Sequence, residues 1–230
     1  MKETQALHFQ GMMSRTKALA ACSRGSREGR TKALAACSRG SKGSKGRINL
    51  VNSSHNDATP KRKGILLAVD LQNGFLTTPE CKAVVPKVVA NADRFDRVWA
   101  TRFFNRNPNF SRQVNWNEMV SGPETELSSS LTPIVSKTFD KPTYSPPSKL
   151  LQALQEDAIA TVAVCGVDTD ACVMATVLKI FDAGIETFVV SDGCASSGGT
   201  EYHESAIKLL KRNIGAQYVV SFSELPTMLS

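Results

Sequence analysis

The sequence predicts a doubly wound α/β domain, a six-stranded and mainly parallel sheet with helices on both faces, behind a disordered N-terminal extension. Three observations predict it. From Gly64 onward, short apolar runs of strand length alternate with amphipathic segments of helix length, the signature of repeated β-α units. Several of the strand runs are apolar almost throughout, as strands buried on both faces are. Charge also divides the chain: residues 1–63 carry 14 Lys and Arg against 3 acids, and the remainder 14 against 18, so a net +7 splits into +11 and −4.

The extension, residues 1–63, is rich in Ser, Gly, Lys and Arg without apolar periodicity, a composition that cannot bury enough surface to fold. Within it, the segment from Arg15 to Ser26 recurs unchanged from Arg30 to Ser41, a period of 15. Two copies do not make a solenoid, which needs at least three stacking units. Such a tail fits an organelle transit peptide, a phosphate-binding arm or an extension without function. The sequence argues against nucleic acid as a partner, because no aromatic residue stands between Phe9 and Phe75 to stack on bases. No apolar run approaches the ~20 residues of a membrane span. A soluble protein with no membrane partner is predicted, cytoplasmic, or mitochondrial if the tail is a transit peptide. The six cysteines form no CxxC pair and no Cys/His cluster, which predicts free thiols in a reducing compartment.

The domain, residues 64–230, opens with Ile65–Asp70, a buried strand. A helix follows over Ala83–Phe95 with Pro86 in its first turn, where proline is tolerated. Arg97–Thr101 is the second strand, and an irregular stretch containing Asn105 to Trp116 leads to the third, Pro133–Phe139. Ser148–Glu156 is helical, its entry fixed by Pro146 and Pro147. Thr161–Val167 is a fully apolar fourth strand, followed by a helix over Ala171–Ala183 that Gly184 can cap in the left-handed conformation. Glu186–Ser191 is the fifth strand, an amphipathic helix carries Ile207, Leu209 and Leu210, and Gln217–Phe222 is the sixth strand.

In such folds ligands sit outside the carboxyl ends of the strands, and three of those ends hold reactive groups. Asp70 ends the first strand, Lys141 follows the third, and Cys172 lies in the first turn of the helix after the fourth. An isolated Asp at a strand end is usually a turn residue. A cysteine at a helix start is more informative, since a helix N-terminus and a nearby cation both lower a thiol pKa, and the same N–H groups can hold an oxyanion.

These residues lie in segments that narrow the reading. Val69-Asp-Leu-Gln-Asn-Gly-Phe75, Lys141-Pro-Thr-Tyr-Ser145 and Cys165-Gly-Val-Asp-Thr-Asp-Ala-Cys-Val173 resemble, in order and spacing, the signature segments of the isochorismatase-like cysteine hydrolases. The similarity continues through Ser191-Asp-Gly-Cys-Ala-Ser-Ser197 and covers Gly64 to Phe222. The resemblance implies a triad in which Asp70 takes the thiol proton, Cys172 attacks a carbonyl or imine carbon, and Lys141 stabilises the charged states. Lys137 is a rival for that role, and the family spacing before Tyr144-Ser145 favours Lys141. The resemblance further implies a non-proline cis peptide at Val167-Asp168 that turns the Asp168 N–H toward an oxyanion beside that of Cys172. The expected activity is hydrolysis of a small amide or related C–N or C–O bond, and the expected assembly is a dimer or tetramer. The apolar residues Met174, Val177, Leu178 and Phe181 on the helix after Cys172 also point to an oligomer.

Metal-dependent members such as nicotinamidases carry an Asp/His/His cluster after the second strand, where this chain reads Thr101-Arg-Phe-Phe-Asn-Arg-Asn-Pro-Asn109, and no histidine stands between Gly64 and Tyr202. No metal and no cofactor are expected. Phe75, Asn105, Trp116 and Tyr144 are candidate substrate-pocket residues, Cys81, Cys165 and Cys194 read as packing thiols, and His203 as a helix-surface or supporting residue. The rival reading is a non-catalytic binding or assembly module on the same fold, which joint retention of Asp70, Lys141 and Cys172 disfavours.

Overall fold

The structure, a computed structural model, describes residues 64–225. The basic extension, its duplicated segment, Cys22 and Cys37 lie outside the described residues. The six strands are β1 (Gly64–Val69), β2 (Arg97–Phe103), β3 (Val135–Lys141), β4 (Thr161–Val167), β5 (Glu186–Ala195) and β6 (Val219–Val220). They form one sheet in the order β3-β2-β1-β4-β5-β6, and every pairing is parallel. Five helices flank it: α1 (Pro79–Ala90), α2 (Pro108–Val114), α3 (Ser148–Glu156), α4 (Met174–Asp182) and α5 (Thr200–Ile214).

The central pair, β1 and β4, is buried along its whole length, which is why their sequences lack the alternation of a half-exposed strand. The chain winds outward from this pair in both directions, so the strand order reverses between β1 and β4. A crevice opens at such a switch point, at the carboxyl ends of the two strands. Asp70 follows β1 and Cys172 follows β4, so the topology brings both to its rim.

Several elements differ from the expectation. α1 begins at Pro79 rather than Ala83, because Thr78 caps it: its hydroxyl oxygen accepts the Cys81 N–H at 3.2 Å. Pro79 then occupies the proline-tolerant first position, and Pro86 stands in the helix interior. Pro86 and Lys82 both face solvent, so the carbonyl left without an intrahelical donor meets water. β2 runs on to Phe103, and β3 starts at Val135 after a 3₁₀ turn and ends at Lys141, which is thus a strand residue. The irregular stretch contains α2, capped by the Asn107 side chain. β5 extends to Ala195, whereas β6 shrinks to two residues because Ala216–Tyr218 tightens into a 3₁₀ turn. On α5, Ala206, Leu210 and Ile214 face the core while Leu209 is 48 % exposed. Gly184, after α4, has φ 76° as its capping role requires.

Among the described residues, no helix is long and apolar enough to cross a membrane. Cys81, Cys165, Cys172 and Cys194 are all free and buried.

Candidate active site

Asp70 is positioned by the abrupt end of β1. Its φ of 51° lies in the left-handed region, which Asp enters more readily than most residues. The backbone therefore leaves the sheet after one last bond, from Asp70 N–H to Thr101 C=O at 3.2 Å. The Thr101 hydroxyl donates to Oδ1 of the Asp70 carboxylate at 2.6 Å and fixes its rotamer. On the other side of β1, Val69 pairs with Gly166. A Cβ on Gly166 would stand 2.1 Å from the Val69 carbonyl oxygen, and its φ is 127°. Only glycine lets the two strand ends approach this closely.

Lys141 reaches the same point from β3. Its Nζ lies 2.7 Å from Asp70 Oδ2 and 3.1 Å from Cys172 Sγ, and donates to the Thr143 carbonyl at 2.9 Å. The Phe103 ring lies beneath the ammonium, centroid at 5.3 Å. Burial works against the charged ammonium, but the Asp70 carboxylate, with Cys172 beside it, outweighs burial and holds Lys141 above its ordinary value. The other candidate, Lys137, points elsewhere: its Nζ lies over the Trp99 ring and 3.8 Å from Asp157.

Cys172 sits in a π-helical turn, Thr169–Val173, that precedes α4. The sequence predicted an α-helical first turn here, and single π-turns of this kind are frequent at functional sites. The Asp168 carbonyl accepts from the N–H groups of Ala171 at 3.1 Å and Val173 at 3.0 Å, and these two bonds straddle Cys172. Cys172 as a residue is 6 % exposed, while Asp70 and Lys141 are closed off almost completely. Burial pushes the Cys172 thiol well up from its ordinary value, Asp70 adds to the rise, and Lys141 opposes it. The expectation of a simply lowered thiol pKa therefore does not hold: loss of solvation outweighs the cation, and the proton needs an acceptor at hand. Asp70 is the neighbouring carboxylate, joined to the thiol through the Lys141 ammonium, which contacts both. Its Oδ2 is paired to Lys141 by charge but takes no hydrogen bond of good geometry.

The Val167-Asp168 peptide is cis. The Asp168 side chain is clamped by Ser197, whose N–H and hydroxyl each donate to one carboxylate oxygen at 2.7 Å. Burial nevertheless raises this carboxyl to about 6, with Asp170 and Asp70 adding to the rise. His203, half-buried on α5, pairs through Nδ1 with the Thr169 hydroxyl at 2.8 Å, and burial lowers its pKa. It supports the turn from behind.

Three of the four pocket candidates gather in one aromatic group. Trp116 stacks on Phe103 at 5.5 Å, Phe75 lies 5.9 Å from Phe103 and 6.0 Å from Trp116, and Tyr144 meets Phe110 edge-on at 5.1 Å. Asn105 does something different. Its side-chain amide donates to the carbonyls of Trp116 at 3.1 Å and Glu118 at 3.0 Å, so it pins the Trp116 segment. A surface depression of about 180 Å³ beside it, reaching Arg106 and Ser111, includes none of Asp70, Lys141 and Cys172. Among the described residues, no three His, Cys, Asp or Glu side chains converge as metal ligands. Sequence reasoning did not single out Thr101, Phe103 or Ser197; their roles depend on strand order, though Ser197 closes a segment already marked by its resemblance.

Comparison with known proteins agrees with this fold. The isochorismatase domain family model matches residues 64–221. No curated protein matches the chain. Among solved structures, an isochorismatase-like hydrolase from Alkaliphilus metalliredigens superposes with a TM-score of 0.62 at 21 % identity, covering 70 % of this chain and 96 % of that one. N-carbamoylsarcosine amidase from Thermoplasma acidophilum gives 0.60 at 23 %, covering 71 % and 98 %. Nicotinamidase from Bacillus subtilis gives 0.59 at 22 %, covering 70 % and 100 %. At these identities the structures speak for the fold.

Proposed function

The chain belongs to the isochorismatase family, and from that premise we propose that it hydrolyses a small amide or a related C–N or C–O bond through a covalent intermediate on Cys172. One observation carries the reading: the buried Lys141 ammonium touches both the buried Asp70 carboxylate and Cys172. No packing need explains three such groups, since burying a charge without chemical use is expensive.

The chemistry follows from the contacts. With the thiol pushed up by burial, the resting group is the neutral thiol, and attack must coincide with proton transfer. Asp70 accepts the thiol proton as sulfur bonds to the carbonyl carbon, and Lys141 stays in place against the charge that sulfur and carboxylate exchange. The N–H groups of Asp168 and Cys172 hold the developing oxyanion. The tetrahedral species collapses, the C–N bond breaks, and the leaving nitrogen takes the proton from Asp70. Water then attacks the thioester, Asp70 accepts its proton, and the sulfur leaves and is reprotonated. No step draws on a metal or cofactor. That two structural neighbours are a nicotinamidase and an N-carbamoylsarcosine amidase supports an amide among the substrates.

We extend the reading to a homo-oligomer. Phe181, at the end of α4, is 46 % exposed, and Leu209 on α5 is 48 % exposed. Size-exclusion chromatography over a range of concentrations tests it; a monomer throughout would remove it.

The catalytic reading is tested by alkylation with iodoacetamide near neutral pH, followed peptide by peptide. Although its resting form is the neutral thiol, Cys172 has Asp70 to take its proton and Lys141 beside the sulfur, and it should react well ahead of the similarly buried Cys81, Cys165 and Cys194, which lack both. Equal sluggishness in all four would point instead to a non-catalytic module.

A further inference from the structure

β1 ends early so that Asp70 can turn into the site, and this leaves a gap in the sheet. β2 continues two residues beyond Thr101, the last residue to bond β1. The next residue of β2 facing that side is Phe103, whose N–H and C=O would be left without partners in the interior. Orphaned buried backbone groups are rare and costly.

Gln72 fills the gap. Its side chain is fully buried; Oε1 accepts the Phe103 N–H at 2.6 Å, and Nε2 donates to the Phe103 carbonyl at 3.0 Å. A carboxamide has the donor and acceptor of a peptide group, so Gln72 serves as one further rung of β1. Nε2 also donates to the Thr125 carbonyl at 2.7 Å, and the Gln72 backbone bridges to Leu127, so the 123–128 segment is tied to the same point. On the opposite edge of β2, Phe103 is the register partner of Lys141, and the Phe104 N–H donates to the Lys141 carbonyl at 2.9 Å. Phe103 also presents its ring beneath the Lys141 ammonium.

We propose that Gln72 is a positioning residue for the catalytic centre: by standing in for the missing rung of β1 it holds the end of β2, and through Phe103 it sets where Lys141 stands relative to Asp70 and Cys172. The inference rests on the proposed role of Lys141 and Cys172, and it adds a residue that touches none of the reacting atoms.

The test is Gln72→Met, close in size but without the amide. Lys141 opposes the rise of the Cys172 pKa, so slackening its position moves the pH midpoint of Cys172 alkylation upward. A displacement approaching 1 Å lowers turnover by up to roughly 100-fold, falling on kcat more than on KM because Gln72 does not touch substrate. Amide exchange at Phe103 should speed up while Ala100, in mid-strand, stays protected. Should Gln72→Met fail to fold, Gln72→Asn keeps the amide but is one methylene too short to span both bonds, and the same shifts are expected. A folded variant with the wild-type alkylation midpoint would overturn the inference. Wild-type Cys172 that reacts no faster than the other buried thiols would instead count against the catalytic reading itself, so the two failures are separable.

Discussion

Lys141 Nζ lies 2.7 Å from Asp70 Oδ2, and neither side chain is exposed to solvent. A pair buried this completely is a poor device for stability alone, since desolvating two charges offsets most of their attraction. Its stability appears when it is broken. Lys141→Met leaves the Asp70 charge buried without a partner, and unfolding in urea at pH 7 should show a loss of about 3–5 kcal/mol. An Asp70→Asn, Lys141→Met double variant should lose less than the sum of the two single variants.

The same pair has a signature at high pH. Asp70 and Cys172 hold the Lys141 ammonium above its ordinary 10.5 against the pull of burial. The stabilisation is therefore complete below that ordinary value and is lost as pH rises through the folded one. The stability gap between wild type and Lys141→Met should narrow above pH 10.5; a gap that holds constant would contradict the assignment.

Asp168 behaves in the opposite sense to a salt-bridged carboxylate. Burial, with Asp170 and Asp70, raises it from 3.8 to about 6 despite two bonds from Ser197. The folded state then binds its proton more tightly than the unfolded chain, so ionisation is penalised fully above about pH 6 and not at all below 3.8. Wild type should lose stability relative to Asp168→Asn, by on the order of 1–3 kcal/mol, as pH rises from 4 to 7. Chemical denaturation at a series of pH values reads this directly.

Gly166→Ala should be among the most damaging single substitutions in the domain. The added Cβ meets the Val69 backbone, and φ 127° is strained for any residue with a side chain. A loss of at least about 3 kcal/mol, or failure to fold, is expected; a folded variant of wild-type stability would show that β1 and β4 do not approach as closely as described.

Trp116 stacks on Phe103 and contacts Phe75, and the Phe103 ring in turn lies against the Lys141 ammonium. Trp116→Ala should raise KM by roughly tenfold with a smaller change in kcat, as expected when a binding surface is removed without touching the reacting groups. An equal fall in kcat at constant KM would place Trp116 in the chemistry instead.

Much of this arrangement was legible in the sequence because it is local. α3 and β4 begin and end where Pro146-Pro147 and the apolar run from Thr161 to Val167 predict, and Asp70, Lys141 and Cys172 lie in segments of recognisable pattern. What escaped is either a competition between signals or a consequence of strand order. Thr78-Pro79 outranked Pro86 as the start of α1 because a cap satisfies an N–H that a mid-helix proline cannot. The side-chain rung from Gln72 to Phe103 exists only because β1 and β2 are neighbours and β1 stops short, and neither fact is written in the residues around position 72. The rise of the Cys172 pKa was likewise hidden, since a helix start and a cation argue for lowering until burial is known.

The central claim is that Cys172 is the nucleophile of a metal-free hydrolase, and the most direct measurement is hydrolysis of a small panel of carboxamides, N-carbamoyl compounds and isochorismate by wild type and by Cys172→Ala, with and without EDTA. The account predicts turnover of at least one panel member by wild type, unaffected by EDTA and reduced by about 1000-fold or more in Cys172→Ala. Turnover that survives in Cys172→Ala, or that EDTA abolishes, would contradict it.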